Sequence, residues 1–559
     1  MRTIEGRMRA LVLLIVFLFG CSLRSAIATT RYVDLNNAAA TPPFTSWATA
    51  ATNIQDAVDA SGDGDFVLVT NGIYASGGRR WFDSGTNRVT LTNAVTLQSV
   101  NGPAFTCIVG NRVLGTGSFL TNAARCVYMG NNALLSGFTL TNGQAGTGNY
   151  PAGGGIVGGT ATNCVLTGNL ATNSAGGGAF RATLLDCQIV GNSAASGGGA
   201  CASILTRCTV VSNTAANGGG SYGGGVYGAS TLTQCVLAGN SASGTGGGTY
   251  GGTLTGCSLS NNFAGSGGGG ADIAILKNCL IIANSAVNGG GALSSTLTNC
   301  LVARNTASLG GGYYNGMISG CTVVSNVATN SGGGGYGSGA AWAYNSIVYY
   351  NSAPTGSNNI GAKFNSSCTQ PNFFDGGITN EPLFVDPANG DFHLQPHSLC
   401  INAGLNSYVV PGSTDLDGQP RIIGSAVDMG AFEFPRPDLA IPITWFQQYG
   451  LATDGSADFV DTDGDNMNNW QEWVAGTNPT NASSRLAMQA VPSSGGPGFV
   501  VRWQSVTNRL YFIQRSTNLA QPSPFSSIAS NAIGQSGLTS FTDQSATNPV
   551  PYFYRVGIQ

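Results

Sequence analysis

Cys, four residues, Asn, one residue, Ala: the chain writes this pattern from Cys164, Cys187, Cys208, Cys235, Cys257, Cys279, Cys300 and Cys321. A ninth copy starts at Ser346, which changes only the cysteine. The asparagines are Asn169, Asn192, Asn213, Asn240, Asn262, Asn284, Asn305, Asn326 and Asn351. Successive copies lie 21 to 27 residues apart, with glycine runs such as Gly246-Gly247-Gly248 and Gly310-Gly311-Gly312 between them. A fixed period of this size marks a repeat architecture, in which each unit buries its apolar face by stacking on its neighbours.

Counting the cysteine as position zero, position +2 is always aliphatic, from Leu166 and Ile189 to Val323 and Val348. Position +1 wanders among Val165, Gln188, Thr209 and Ser258. Alternate side chains of a strand share a face, so zero and +2 are expected to point inward. Position −3 is usually Leu or Ile (Leu184, Leu205, Leu232, Leu254, Leu276, Leu297, Ile318) and adds a second inward row. Only a few residues carry the pattern before Asn and Gly interrupt it, which suits short strands and tight turns and no helix of ordinary length. The expected architecture is all-β, a parallel β-helix whose rungs stack at about 4.8 Å. The Asn row then sits at a turn, where each amide bonds to backbone and to the next rung's amide. The cysteines read as a packing row, because a free thiol behaves as a small buried hydrophobe and Ser346 fills the place without one. Inter-rung disulfides and a metal ladder are the alternatives; the repeat lacks the paired C-x-x-C and His spacing of metal sites. Cys107 with Cys126 and Cys368 with Cys400 are further pairs open to oxidation in an exported chain.

Charged residues make up 8% of the chain and the formal charge is −3, with Lys277 and Lys363 the two lysines. There is no basic stripe, so nucleic acid is not an expected partner. Arg2, Arg7 and Arg9 precede an apolar run from Ala10 to Phe19, and Ala26-Ile27-Ala28 gives a small-x-small site. This reads as a secretory signal peptide over 1–28, cleaved after Ala28; lipidation of Cys21 is the alternative. The mature chain is expected to lack a transmembrane helix. The sequence sets no oligomeric state.

The expected domains are a β-helix over 29–435, an acidic helical segment over 438–482 and a small β-sandwich over 486–559, where Phe499–Trp503 and Tyr552–Val556 alternate. Within the β-helix, 29–70 forms a cap with a short helix at Asn53–Ala60, 150–355 holds the regular rungs, and 360–434 is a different block.

Several segments resemble known families. The runs Gly-Gly-Ala-Phe (177–180), Gly-Gly-Val-Tyr (224–227) and Gly-Gly-Tyr-Tyr (311–314) resemble polymorphic outer membrane protein repeats, which implies a bacterial surface β-helix, often an adhesin. Ile54-Gln55-Asp56-Ala57-Val58 with Val67–Tyr74 looks like the start of right-handed pectate-lyase-like β-helices. Pro382–Pro387, Phe392-His393-Leu394, Ile401–Gly404, Asp415–Arg421 and Val427–Glu433 are similar to the choice-of-anchor Q domain. That resemblance implies an exported bacterial protein and no particular reaction.

Chemistry concentrates in Asp461-Thr462-Asp463-Gly464-Asp465-Asn466-Met467-Asn468-Asn469-Trp470-Gln471-Glu472. Asp461, Asp463 and Asp465 at loop positions 1, 3 and 5, the Met467 carbonyl at 7, Asn469 at 9 and Glu472 at 12 match the oxygen spacing that wraps one calcium ion. Asn466 replaces the usual glycine and tolerates the left-handed turn. Helical flanks are expected at 443–449 and from Trp470 to Ala475, with Gly476 as the stop. The loop resembles dockerin and thrombospondin type 3 calcium loops, with a structural role.

Between 150 and 350 the charged residues are Arg181, Asp186, Arg207, Asp272, Lys277 and Arg304, with no run of three carboxylates. Asp186 and Arg207 share position −1 and are expected to pair on adjacent rungs. Structural roles are expected for His393 and His397, and a loop tip with a sugar-stacking alternative for Arg79, Arg80, Trp81 and Asp83. The favoured function is an exported bacterial surface or secreted protein, a non-enzymatic adhesin, scaffold or glycan-facing module with polysaccharide or cell-surface glycan as partner. The alternative is a polysaccharide lyase or hydrolase of the pectate-lyase-like class.

Overall fold

The computed structural model describes residues 28–558 apart from 82–84, 114–121, 146–151, 217–221, 340, 372–375, 396–397, 424–425, 435–440, 442, 453–456, 458–459, 493–497, 520–524 and 548–550. The expected signal peptide and Cys21 therefore lie outside the described residues, as do Asp83 and His397. Two compact units divide the chain near residue 250. Among the described residues no helix is long and apolar enough to cross a membrane.

Both units are built from parallel β-helix coils with three short strands each. In the first unit one sheet runs from Thr30–Val33 to Thr231–Thr233, a second from Gly72–Tyr74 to Val236–Ala238, and a third ends at Thr249–Tyr250. In the second unit the corresponding sheets run from Thr253–Thr255 to Lys363–Asn365, from Ser258–Ser260 to Cys368–Thr369 and from Ala271–Asp272 to Asn359–Ile360. Register follows the sequence repeat: Leu166 faces Ile189 and Ile189 faces Val210. The +2 row and the −3 row are fully or almost fully buried. Each such aliphatic side chain contributes roughly 1.5–3 kcal/mol relative to exposure.

Each coil turns through left-handed residues that need not be glycine: Asp186 and Arg207 at position −1 have φ of 53° and 50°, and Ser212 at +4 has 54°. The glycine pairs have a separate reason. A Cβ on Gly311 would meet the Gly333 and Val327 carbonyl oxygens at 2.5 and 2.6 Å, so neighbouring coils approach too closely for any side chain.

The coils extend beyond the visible repeat at both ends. Phe138 occupies the cysteine position of the coil before Cys164, since Thr139 pairs with Val165, and it is fully buried. Ser367 occupies it after Ser346, to whose backbone N–H it offers its Oγ at 3.1 Å. Strands therefore continue to Thr369, into the segment that the sequence assigns to a separate block. At the other end, helix Ile54–Asp59 is N-capped by Asn53. Gln55 pairs with the edge of strand Thr86–Leu91, accepting from Thr90 N–H at 2.7 Å and donating to its carbonyl at 3.2 Å.

Residues 376–434 lie on the outward face of the last coils. Phe384, Phe392, Leu394, Cys400, Met429 and Phe434 share a core with Leu301, Val324, Ile347 and Tyr349 of the coil. The helices Ile443–Tyr449 and Asn469–Ala475 contribute Phe446, Trp445, Trp470 and Trp473 to a small core of their own. Beyond them stand two three-stranded antiparallel sheets closing on Val501, Trp503, Tyr511 and Ile513, the small sandwich that the alternation predicts.

Candidate functional site

The cysteine and asparagine rows hold the coils together. Cys164, Cys187, Cys208, Cys279, Cys300 and Cys321 are at most 1% exposed. The Cys279 thiol donates to the carbonyls of Leu254 and Lys277, and Cys300 repeats the pattern on Leu276 and Thr298. Ser346 does the same work with a hydroxyl, donating to Tyr344 O at 2.7 Å. The asparagines are buried too; Asn213 Oδ1 accepts from both the backbone N–H and the Nδ2 of Asn192, Asn305 Oδ1 does the same for Asn284, and at the head of the row Asn169 Oδ1 accepts from Gly143 N–H. Cys107, Cys126, Cys368 and Cys400 are unbonded thiols. Cys368 lies against Cys400, whose hydrogen bond, with burial, raises its pKa.

The acidic loop brings Asp461, Asp463 and Asp465 together, with ligand oxygens all within 4.8 Å of one another. Local geometry follows from the sequence. Asp461 accepts from the N–H groups of Gly464 at 2.7 Å and Asn466 at 2.9 Å, and Asn466 takes φ of 72° in place of the usual glycine. A capping box between Asn468 and Gln471 starts the following helix, and Gly476 ends it at φ of 74°. Glu472 is thereby set in the first turn, fully buried. Burial first, then the charges of Asp463, Asp465 and Asp461, push its pKa up to about 7. Asp463 Oδ2, Asp465 Oδ2 and Glu472 Oε2 are buried with no hydrogen-bond partner. Converging carboxylates with unpaired oxygens are costly on their own and fit a hard divalent cation. The other two expected ligands make bonds within the loop and to its neighbours. Asn469 turns its side chain to Thr462 Oγ1 at 2.9 Å and Ala457 O at 2.7 Å. Met467 takes its N–H to Asp465 and its sulfur to Leu486 N–H.

A second polar centre sits where residues 376–434 meet the coil. Arg421 is buried, forms an ion pair with Glu433, and donates to Asn299 Oδ1 at 3.1 Å and Asp428 O at 3.2 Å. Asp415 accepts from Gln419 and Glu433 N–H groups, and Asp428 from Asn402 and Phe434. Burial lowers the Arg421 pKa to about 10 and raises those of Asp415 and Asp428. Their bonds are internal, so this cluster serves docking.

His393 is held between two carboxylates, Nδ1 to Asp391 at 2.5 Å and Nε2 to Asp417 at 2.7 Å, with its ring against Phe432. Burial favours the neutral ring, but the hydrogen bonds with Asp391 and Asp417 outweigh it and raise the pKa. Asp186 and Arg207 pair through two contacts of 2.7 and 2.8 Å, as their shared position requires. Arg79 is taken by Asp59, and Trp81 lies near Tyr128 with ring centroids 6.5 Å apart.

No protein-family model matches the chain, and no curated protein matches it in sequence. Among solved structures it is similar to a pectate lyase, at 15% identity over 73% of this chain and 97% of that one, with a TM-score of 0.35. A rhamnogalacturonan lyase aligns at 11% identity over 76% of this chain and 100% of that one, TM-score 0.29. A bacteriophage Fri1 tailspike from Acinetobacter baumannii, described as a capsular polysaccharide depolymerase, aligns at 9% identity over 95% and 84%, TM-score 0.24.

Proposed function

We propose that this is an exported bacterial β-helix that presents its coil faces to glycans as a scaffold or adhesin, with a structural calcium ion in the 461–472 loop. The observation that carries the reading is a division of labour among side chains. The cysteine and asparagine rows are buried and spent on coil-to-coil bonds, which leaves the outward strand positions as what the coils display, Thr pairs on strands such as Thr253–Thr255 and Thr296–Thr298 among them. Cation-binding chemistry is concentrated in the acidic loop, where buried carboxylate oxygens have no partner. Calcium there would neutralise the loop charge and tie Glu472 to the aspartates. The resemblance of the 382–433 motifs to a choice-of-anchor domain, together with the signal-like N-terminus, supports export to the cell surface. His393, with both ring nitrogens bonded to carboxylates, is not free to take a proton as a lyase base. The test is retention of the intact mature chain by a panel of immobilised polysaccharides, with product analysis of each. Retention without depolymerisation supports the proposal. Cleavage of any member replaces it with the lyase or hydrolase reading.

A further inference from the structure

The sheet from Thr253–Thr255 to Lys363–Asn365 has an outward face unlike the others. Its register places Ile275, Thr296, Met317, Trp342 and Lys363 in one outward column, and Lys277, Thr298, Ser319, Tyr344 and Asn365 in the next. Both lysines of the chain therefore stand on this one face, although the chain as a whole is formally −3. None of the six strands carries an Asp or Glu. Four strand steps separate the Lys277 row from the Lys363 row, about 19 Å at the usual spacing.

Aromatic side chains gather between the two lysines. The Trp342 and Tyr344 rings are parallel within 2°, with centroids 5.8 Å apart, and both are partly exposed. Tyr408 packs on Tyr344 at 4.3 Å. Its short 3-10 turn is fixed to the coil by Asn345, which accepts from Leu405 N–H at 2.8 Å and donates to its carbonyl at 2.9 Å. Lys363 places its ammonium 4.9 Å from the centre of the Trp342 ring. Met317 and Ile275 on the same face are 42% and 45% exposed.

We propose that this face binds an acidic polysaccharide, with Trp342, Tyr344 and Tyr408 stacking against sugar rings and Lys363 and Lys277 meeting the carboxylates. Aromatic rings offer a flat apolar surface to the C–H faces of sugars. Ammonium groups at both ends of the cluster, on strands that carry no carboxylate, select an anionic chain over a neutral one. The aromatic cluster sits where the 376–434 block meets the coil, so that block completes the surface by supplying Tyr408. This inference rests on the glycan-facing reading and deepens it.

The intact mature chain is run in native gels containing polygalacturonate, alginate or hyaluronan, each beside its methyl-esterified counterpart, which keeps the backbone and removes the charge. The wild-type protein is expected to be retarded by at least one acidic polymer, less by its ester, and to be released by salt. Trp342→Ala is expected to weaken that binding about tenfold, as the loss of one aromatic contact allows. Trp342→Phe should largely restore it. Lys277→Gln/Lys363→Gln should abolish the preference for the acidic form over the ester. These side chains are outward, and an unchanged melting temperature shows that each variant is folded. If the wild type binds and all variants bind equally, the glycan-facing reading stands and this site is wrong. If the wild type is retarded by none of these polymers, the proposal is overturned; retention elsewhere in the wider panel then decides the broader reading.

Discussion

Asn305 donates its backbone N–H and its Nδ2 to the same oxygen, Oδ1 of Asn326, both at 2.9 Å, and its Nδ2 also reaches Ile281 O at 2.8 Å. Asn326 repeats the arrangement on Asn351, so each amide serves the coils on either side. Asn305→Leu would leave buried donors and acceptors unpaired. The expected loss is about 1–3 kcal/mol, measured by denaturant unfolding. Asn305→Asp should be worse, because it sets a carboxylate against the Ile281 carbonyl without a proton to donate.

The cysteine row is a packing row. Cys279→Ser should cost about 1 kcal/mol or less, since Ser346 already fills the equivalent place with two good hydrogen bonds. Cys279→Asp, which buries an unpaired charge, should prevent cooperative folding. In the native protein Cys279 should resist thiol reagents until the coils are unfolded, as reaction kinetics with and without denaturant would show.

Arg421 joins residues 376–434 to the coil through Asn299, and within the block it forms an ion pair with Glu433. Arg421→Met leaves Glu433 buried without its counter-charge, and the expected cost is about 3–5 kcal/mol. Adding Glu433→Gln should recover part of the loss. Circular dichroism melts of the single and double variants check both statements.

His393 makes the stability of this block pH-dependent. Its pKa is raised in the folded state, so its bridge to Asp391 and Asp417 contributes fully below the ordinary histidine value of about 6.5 and is lost as pH rises through the raised value. On the acid side the bridge weakens as pH falls through the lowered pKa of Asp391. His393→Gln should flatten the fall in melting temperature between about pH 6 and pH 8. An equal fall in the variant would assign that slope to other groups.

The coils were legible because a one-sided environment repeats nine times, and inward and turn positions leave the same residue types at the same spacing. The same logic hid the outer coils. Phe138 fills the cysteine position with a much larger side chain, and Ser367 is followed at +2 by Thr369 where the repeat has an aliphatic residue, so neither matches the pattern. The left-handed turns were only partly readable, because Asp186, Arg207 and Ile273 adopt a conformation usually read from Gly or Asn. Arg421 reaching Asn299, and Tyr408 reaching Tyr344, join residues far apart in the chain that no local spacing connects. In the acidic loop the aspartate spacing foretold the convergence, whereas the side chain of Asn469 is committed to Thr462 and Ala457 by packing the sequence does not display.

The decisive measurement is calcium binding at the 461–472 loop. The intact chain is titrated with calcium by calorimetry, and its melting is followed in calcium and in chelator. One saturable site is expected, with a melting temperature for the 441–476 segment that rises with calcium by mass action. Both effects should vanish in Asp461→Asn/Glu472→Gln. Identical melting in calcium and chelator, with no binding heat, would contradict a calcium site in this loop.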